Sequence, residues 1–416
     1  MRALKTFLMM LFIVLIPFQD SPLQATPLGF LGASPAFIPL SALMFVSMLQ
    51  WRMNWRRIRL NRGALLIACY AIIINAAYLL PNEISSHGTS IAAKALNLSV
   101  LTALFLFPIF FVDYDAYPCG GWIKAAFFIS AAGMILGDIL RVDMIANNPI
   151  LHCNPNLNLR PRGFCMESSM LSAMLITTGF LSAHFSRSAI EKGFYVLAAG
   201  VLVLLAGSKG GMIAYLFIAA LIVLLSLRVR RWAMAAFVPI YAVAGCLVYF
   251  VAAGRFAEDL ASYTSSATRL GLAATSVVAA GHNPLGVGFS GFLPAIDRYA
   301  PATSEYISEV SGVSFDLSEL LSYVGARTDV NVTTKTLLFD FLAFFGWPFV
   351  ALYLVFHRWL ISGLLRSHRV LLLAAAAYCL VAISTYIEPI GLYNISLVYG
   401  LAYHGLHGQE SPGSLA

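Results

Sequence analysis

The residues best equipped for chemistry gather in a few short stretches. Residues 160–169 read Arg160-Pro-Arg-Gly-Phe-Cys-Met-Glu167-Ser-Ser169 and stand directly before an apolar run. Two guanidinium groups, on Arg160 and Arg162, flank Gly163, and Ser168 and Ser169 can cap a following helix. Arginine takes phosphate oxygens in pairs and helix N-termini attract anions, so this is a candidate phosphate site. The plainer alternative is a pair of interfacial anchors. Gly207-Ser-Lys209-Gly-Gly211 is a tight break between two apolar runs. Its lysine, flanked by glycines that let a ligand near the backbone, can hold another phosphate oxygen or simply snorkel. Further on, Arg269 precedes a stretch with glycines at 281, 286, 288 and 291 that also carries His282. Such a density of glycine suits a ligand loop or a packed turn. Asn331-Val-Thr-Thr-Lys335 lies immediately before another apolar run. There is no zinc spacing, no phosphate-cradling Walker loop and no dinucleotide fingerprint, so neither a metal nor a cofactor is expected and an ATP-driven pump is excluded.

These stretches are strung between apolar segments. Of 416 residues, 60% are hydrophobic and only 11% charged, where a soluble domain runs at about 45–50% and about 25%. The runs are continuous rather than alternating, which makes the expected fold all-α, a polytopic integral membrane protein rather than a barrel. Spans are expected at 6–18, 28–49, 63–80, 91–111, 122–140, 168–184, 193–207, 211–227, 232–252, 336–356, 370–387 and 390–406, about twelve in all. This divides the chain into an N-terminal bundle at 1–252, a large outer-face loop at 253–335 and a C-terminal bundle at 336–416. The loop is expected to open with a short helical pattern between Arg255 and Ala280. The first apolar segment also resembles a secretory signal; its retention as a span is the favoured reading.

The net charge of +7 is better explained by topology and anionic lipid than by nucleic acid. With the N-terminus inside, sixteen of the 26 Lys and Arg residues fall on the cytoplasmic side. The remaining ten include Arg160, Arg162, Lys209, Arg269 and Lys335, whose outer position runs against the positive-inside bias. Asp138, Asp340 and Glu388 fall near span ends, as functional or solvated carboxylates. Cys153 and Cys165 are the two cysteines expected outside the membrane, and in an oxidising compartment they could close a loop around the arginines.

Taken in order, Arg-x-x-Gly with a following Glu-Ser, Ser-Lys-Gly-Gly between two spans, Arg269 ahead of Asn-Pro-Leu-Gly-Val-Gly-Phe, a long outer loop and Phe345-Gly at a span's end resemble the O-antigen polymerase and ligase superfamily. The resemblance covers about 160–346 at motif level and the whole chain in topology. It implies a bacterial inner-membrane, multi-pass, metal-independent glycosyltransferase. Its partners would be an undecaprenyl-diphosphate-linked oligosaccharide and membrane lipids, together with a chain-length regulator and a flippase, and no nucleic acid. Carried over by motif, Arg160 or Arg162, Lys209 and Arg269 would hold the donor diphosphate, and Lys335 stands at the further substrate position. The ligase branch usually has Ser-Arg-Gly where this chain has Ser208-Lys209-Gly210. It also carries a histidine where this chain has Thr333, Thr334 and Lys335, so the resemblance points to a polymerase, with a ligase as the alternative.

Fixed cations fit that chemistry. A diphosphate leaving group gains negative charge as the anomeric bond breaks, and Arg and Lys at that point stabilise the transition state over the ground state. Glu167 and His282 are the candidates to take the acceptor hydroxyl's proton. A secondary transporter or flippase of a lipid-linked or anionic solute is the competing reading. Against it stand the absence of matched half-repeats and the concentration of polar residues on one face. A structural assembly subunit is a third reading.

Overall fold

The computed structural model describes residues 2–26, 34–51, 62–79, 85–86, 89–146, 148–153, 160–226, 264–311, 318, 320–321, 336–387 and 392–407. Its helices are α1 (Arg2–Leu15), α2 (Phe37–Trp51), α3 (Arg62–Leu79), α4 (Ile91–Phe110), α5 (Cys119–Ala132), α6 (Asp143–Ala146), α7 (Ser168–Phe185), α8 (Ala189–Ala206), α9 (Lys209–Ser226), α10 (Thr264–His282), α11 (Gly288–Ser311), α12 (Leu337–Arg366), α13 (Val370–Thr385) and α14 (Tyr393–His407). The one strand pairing among the described residues joins Ser85–Ser86 to Thr89–Ser90 ahead of α4. Among the described residues each expected span overlaps a helix; 232–252 and parts of others, such as 28–33, lie outside the described residues. Ile91–Phe110, Cys119–Ile139, Ala189–Ala206 and Leu337–Arg366 are long and apolar enough to cross a membrane. The chain has the helices of a membrane protein.

The fold groups into two compact units, one of residues 1–67, 99–220 and 355–416, the other of 68–98 and 221–354.

In the first unit α7 is the central helix, with every residue from Leu171 to Ala183 buried. A helix apolar all round has no lipid face to spare and belongs inside a bundle. Small residues make the packing close: a Cβ on Gly179 would stand 2.8 Å from that of Ala199 on α8. Apolar burial gains little between helices surrounded by lipid, so close packing and interhelical hydrogen bonds carry the association. Here Asn394 Nδ2 of α14 donates to Thr177 Oγ1 of α7 at 3.0 Å. Helix α5 runs on through a π turn at Gly133–Ile139 and stops at Arg141, whose φ is +49°.

In the second unit the stretch expected as loop is strongly helical. Besides α10, which overlaps the expected helical pattern, α11 runs 24 residues through Pro294 and Pro301. Those prolines hid it from a sequence reading, since interior proline normally ends a helix. The glycine-rich stretch between the two helices is a packed turn. Gly286 and Gly288 have φ of +86° and +68°, and Gly346, at +65°, breaks α12. A Cβ on Gly346 would fall on the Pro284 carbonyl oxygen. The two backbones are joined instead by hydrogen bonds from Trp347 N–H to Pro284 O at 2.9 Å and from Val287 N–H to Ala343 O at 2.9 Å. Tyr70 of α3 donates its hydroxyl to Leu285 O at 2.6 Å, and Asn75 Oδ1 accepts the Ser290 N–H at 3.1 Å. The glycines in Asn-Pro-Leu-Gly-Val-Gly-Phe and in Phe345-Gly therefore serve a backbone-to-backbone lock, with Phe289 and Phe292 packed edge-on against Phe344 beneath it.

Candidate functional site

The segment preceding α7 is held by two carboxylates, the buried Asp20 and the half-buried Asp138. Asp138, on the π turn of α5, accepts two successive backbone N–H groups through Oδ2, that of Arg162 at 2.8 Å and that of Gly163 at 2.6 Å. Gly163 has φ +55°, so the pair of amides converges as a small nest that suits an anion. Asp20 follows α1, and its Oδ2 takes Arg162 Nη1 at 2.8 Å with His152 Nδ1 3.3 Å away. The Gln19 and Asp20 N–H groups both donate to Phe164 O, at 2.8 and 3.0 Å, and Asp20 O accepts the Cys153 N–H at 2.8 Å. Phe164 stacks on Phe18 at 4.8 Å and lies against Gly133, where a Cβ would stand 2.5 Å from the ring. Three stretches distant in sequence thus meet in one knot.

This separates the two candidate arginines. Arg162 is 4% exposed and its guanidinium is committed to Asp20, whereas Arg160 is exposed. The interfacial-anchor alternative does not describe Arg162, whose charge is turned into the protein. Asp340 is not a solvated end-of-span carboxylate, being 0% exposed in the first turn of α12, while the half-buried Asp138 is engaged by amides through one oxygen. Glu388 lies outside the described residues. The disulfide that Cys153 and Cys165 could form is not made, both being free. Cys165 Sγ points at Pro17 O, 3.8 Å away, while Cys153 is tied through its backbone to Asp20. Burial pushes the Cys165 thiol well up from its ordinary value. An apolar cavity of about 250 Å³, lined by Leu15, Phe18, Leu23 and Ile150 among others, borders the same stretch.

Glu167, not Ser168, is the N-cap of α7, and it makes no capping bond. Its exposed carboxylate accepts Ser169 Oγ at 3.1 Å, and Ser168 forms the first helical position. The Gly207–Gly211 break meets this helix one turn further on. Gly207 ends α8 in the left-handed region, and Ser208 Oγ accepts the Gly211 N–H at 3.3 Å as the cap of α9. A Cβ on Gly211 would stand 2.7 Å from that of Ser172, and one on Gly210 3.0 Å from the Tyr386 ring. Gly211 lets the start of α9 lie this close to α7, and Gly210 lets it lie against Tyr386. They leave Lys209 exposed at the first position of α9, beside the first turns of α7 that follow Glu167. Two helix N-termini, a lysine and a carboxylate accordingly share one end of the first unit. Tyr386, whose hydroxyl is 2.5 Å from that of Tyr378, is a neighbour that no motif signalled.

Arg269 and His282 belong to the second unit, both on α10. Arg269 is half-buried, and its Nε is buried without a hydrogen-bond partner. His282 is exposed at the end of α10 and stacks on Tyr299, ring centroids 5.1 Å apart and 4° from parallel. Arg298 lies 5.6 Å from the centre of the same ring. Lys335 lies outside the described residues. Among the described residues no group of three or more His, Cys, Asp or Glu side chains could hold a metal ion.

No protein-family model matches the chain. The chain is similar to an "Uncharacterized 49.5 kDa protein in cps region" of Klebsiella pneumoniae, 27% identical over 362 residues that cover 83% of this chain and 79% of the relative.

Proposed function

We propose that the protein is a polysaccharide polymerase. It transfers glycan from an undecaprenyl-diphosphate-linked donor to a lipid-linked acceptor repeat unit at the periplasmic face of a bacterial inner membrane. The observation that carries this reading is two exposed cations in the first unit: Arg160 on the pinned segment before α7, and Lys209 at the first turn of α9 where that turn packs on Ser172. Both are exposed, and Lys209 stands at the first position of α9, where the helix N-terminus adds partial positive charge. Arg162 drops out as a direct ligand, because its guanidinium is buried on Asp20. The similarity to a protein in a cps region supports a role in capsule-type polysaccharide synthesis.

In the reaction the cations stabilise the diphosphate as it leaves the anomeric carbon, and a base accepts the acceptor hydroxyl's proton. Glu167, exposed and bonded to Ser169, is the carboxylate available in the first unit. Arg269 and His282 are the second unit's candidates on the motif resemblance, the first through its unpartnered Nε and the second through a ring held by Tyr299. Because the lipid diphosphate already activates the sugar, the step consumes no nucleotide.

The test is genetic. In a host that makes the polysaccharide, Arg160→Ala and Lys209→Ala should leave single repeat units on the lipid carrier and abolish long chains. Chains of normal length, with lipid-linked units accumulating on the cytoplasmic side, would favour a flippase instead.

A further inference from the structure

A phosphate-binding arginine helps only if its backbone is held still, and Arg160 is exposed. Arg160 precedes Pro161, whose ring fixes its own φ and confines the residue before it to extended conformations. The direction in which Arg160 leaves the surface is therefore set by Arg162, the next residue along. Arg162 is gripped twice: its backbone N–H by Asp138 Oδ2 at 2.8 Å and its guanidinium by Asp20 Oδ2 at 2.8 Å. The Gly163 N–H shares the same Asp138 oxygen at 2.6 Å, and Gly163 packs against Met134 N and Leu171 Cδ1, each 3.3 Å from where a Cβ would sit. Asp138 itself sits on a π turn, a feature that often marks a functional position because it costs helix regularity. Here the turn points a carboxylate at the loop.

We propose that Asp138 and Asp20 are positioning residues: Asp138 holds the Arg162 and Gly163 amides and Asp20 the Arg162 guanidinium, so that Pro161 carries Arg160 in the orientation that receives a diphosphate. The inference rests on the functional reading above. Neither carboxylate touches the ligand, and Arg162 serves as an internal strut between them.

The test is a double-mutant cycle on the full-length protein in nanodiscs, measuring the affinity for undecaprenyl diphosphate. Asp138→Ala should weaken binding about tenfold, the scale of loss from a misplaced ligand-positioning group. On an Arg160→Ala background the same change should add almost nothing, since the residue through which it acts is gone. Asp138→Asn, whose amide oxygen still accepts both N–H groups, should recover most of the loss. Gly163→Ala disturbs the same nest without touching the carboxylate, and should reproduce the Arg160-dependent loss if Asp138→Ala fails to fold. Equal losses on both backgrounds, or wild-type affinity in Asp138→Ala, would overturn the positioning role and leave the functional reading intact. A wild-type protein that does not bind undecaprenyl diphosphate would sink both.

Discussion

Replacing Arg162 by alanine should destabilise the first unit, while replacing Arg160 should not, although one proline separates them. Arg162 and Asp20 are 5% and 1% exposed at their side chains, and the guanidinium nitrogen lies 2.8 Å from the carboxylate. Removing the arginine strands a buried carboxylate whose remaining partner on that oxygen is His152 at 3.3 Å. Breaking one side of a buried ion pair costs about 3–5 kcal/mol, which corresponds to a fall in Tm on the order of 10 °C. Arg160 is exposed, and its loss should stay within about 0.5 kcal/mol. Thermal unfolding of the purified protein in detergent, followed by exposure of Cys165 to a fluorescent maleimide, reads both variants on one scale. Asp20→Leu combined with Arg162→Met removes both charges and should recover part of the loss. Equal Tm values for Arg160→Ala and Arg162→Ala, or a larger fall for Arg160→Ala, would refute the assignment of one arginine to the interior and the other to the ligand.

The remaining predictions use the same contrasts. Gly346→Ala forces a φ of +65° on alanine and drives a Cβ onto the Pro284 carbonyl, so it should cost roughly 2–3 kcal/mol and cut membrane accumulation. Gly281→Ala, which meets nothing within 4 Å, should be tolerated. Cys153 and Cys165 should both take an alkyl group after denaturation without reductant, as counted by mass spectrometry; a missing pair would reveal a disulfide. In the folded protein Cys165 should stay unreactive at pH 8, because burial raises its thiol and keeps it protonated. The sign of the linkage follows: as the pH rises past the ordinary thiol value of about 8.5, the unfolded chain gives up a proton that the folded chain keeps, and stability falls. Arg269→Ala should leave lipid-linked single repeat units and no long polysaccharide, read on a gel of extracted glycans.

The helices were legible because a bilayer admits few alternatives: a continuous apolar run of sufficient length with charged flanks is a helix, and the described runs are. Two other things could not be read. Contacts between distant residues leave no local trace, so nothing in Phe18–Asp20 announced that its carboxylate would claim Arg162 from 142 positions away. Sequence spacing alone left the two arginines equivalent; burial distinguishes them. Glycine poses a related ambiguity, since a ligand and a neighbouring backbone both require a missing Cβ. At Gly286 and Gly346 the neighbour is backbone, and at Gly210 and Gly211 it is the Tyr386 ring and Ser172. Helix α11 was hidden by Pro294 and Pro301, which local rules take as breaks.

On the proposed reading the protein itself joins lipid-linked repeat units, with cations on the leaving diphosphate and without metal or nucleotide. Purified protein in lipid vesicles, incubated with undecaprenyl-diphosphate-linked repeat units and with neither metal nor nucleotide, should yield a ladder of longer glycans and free undecaprenyl diphosphate. The ladder should vanish in Lys209→Ala. Repeat units that remain single with active wild-type protein, or that cross the vesicle membrane unchanged, would contradict it.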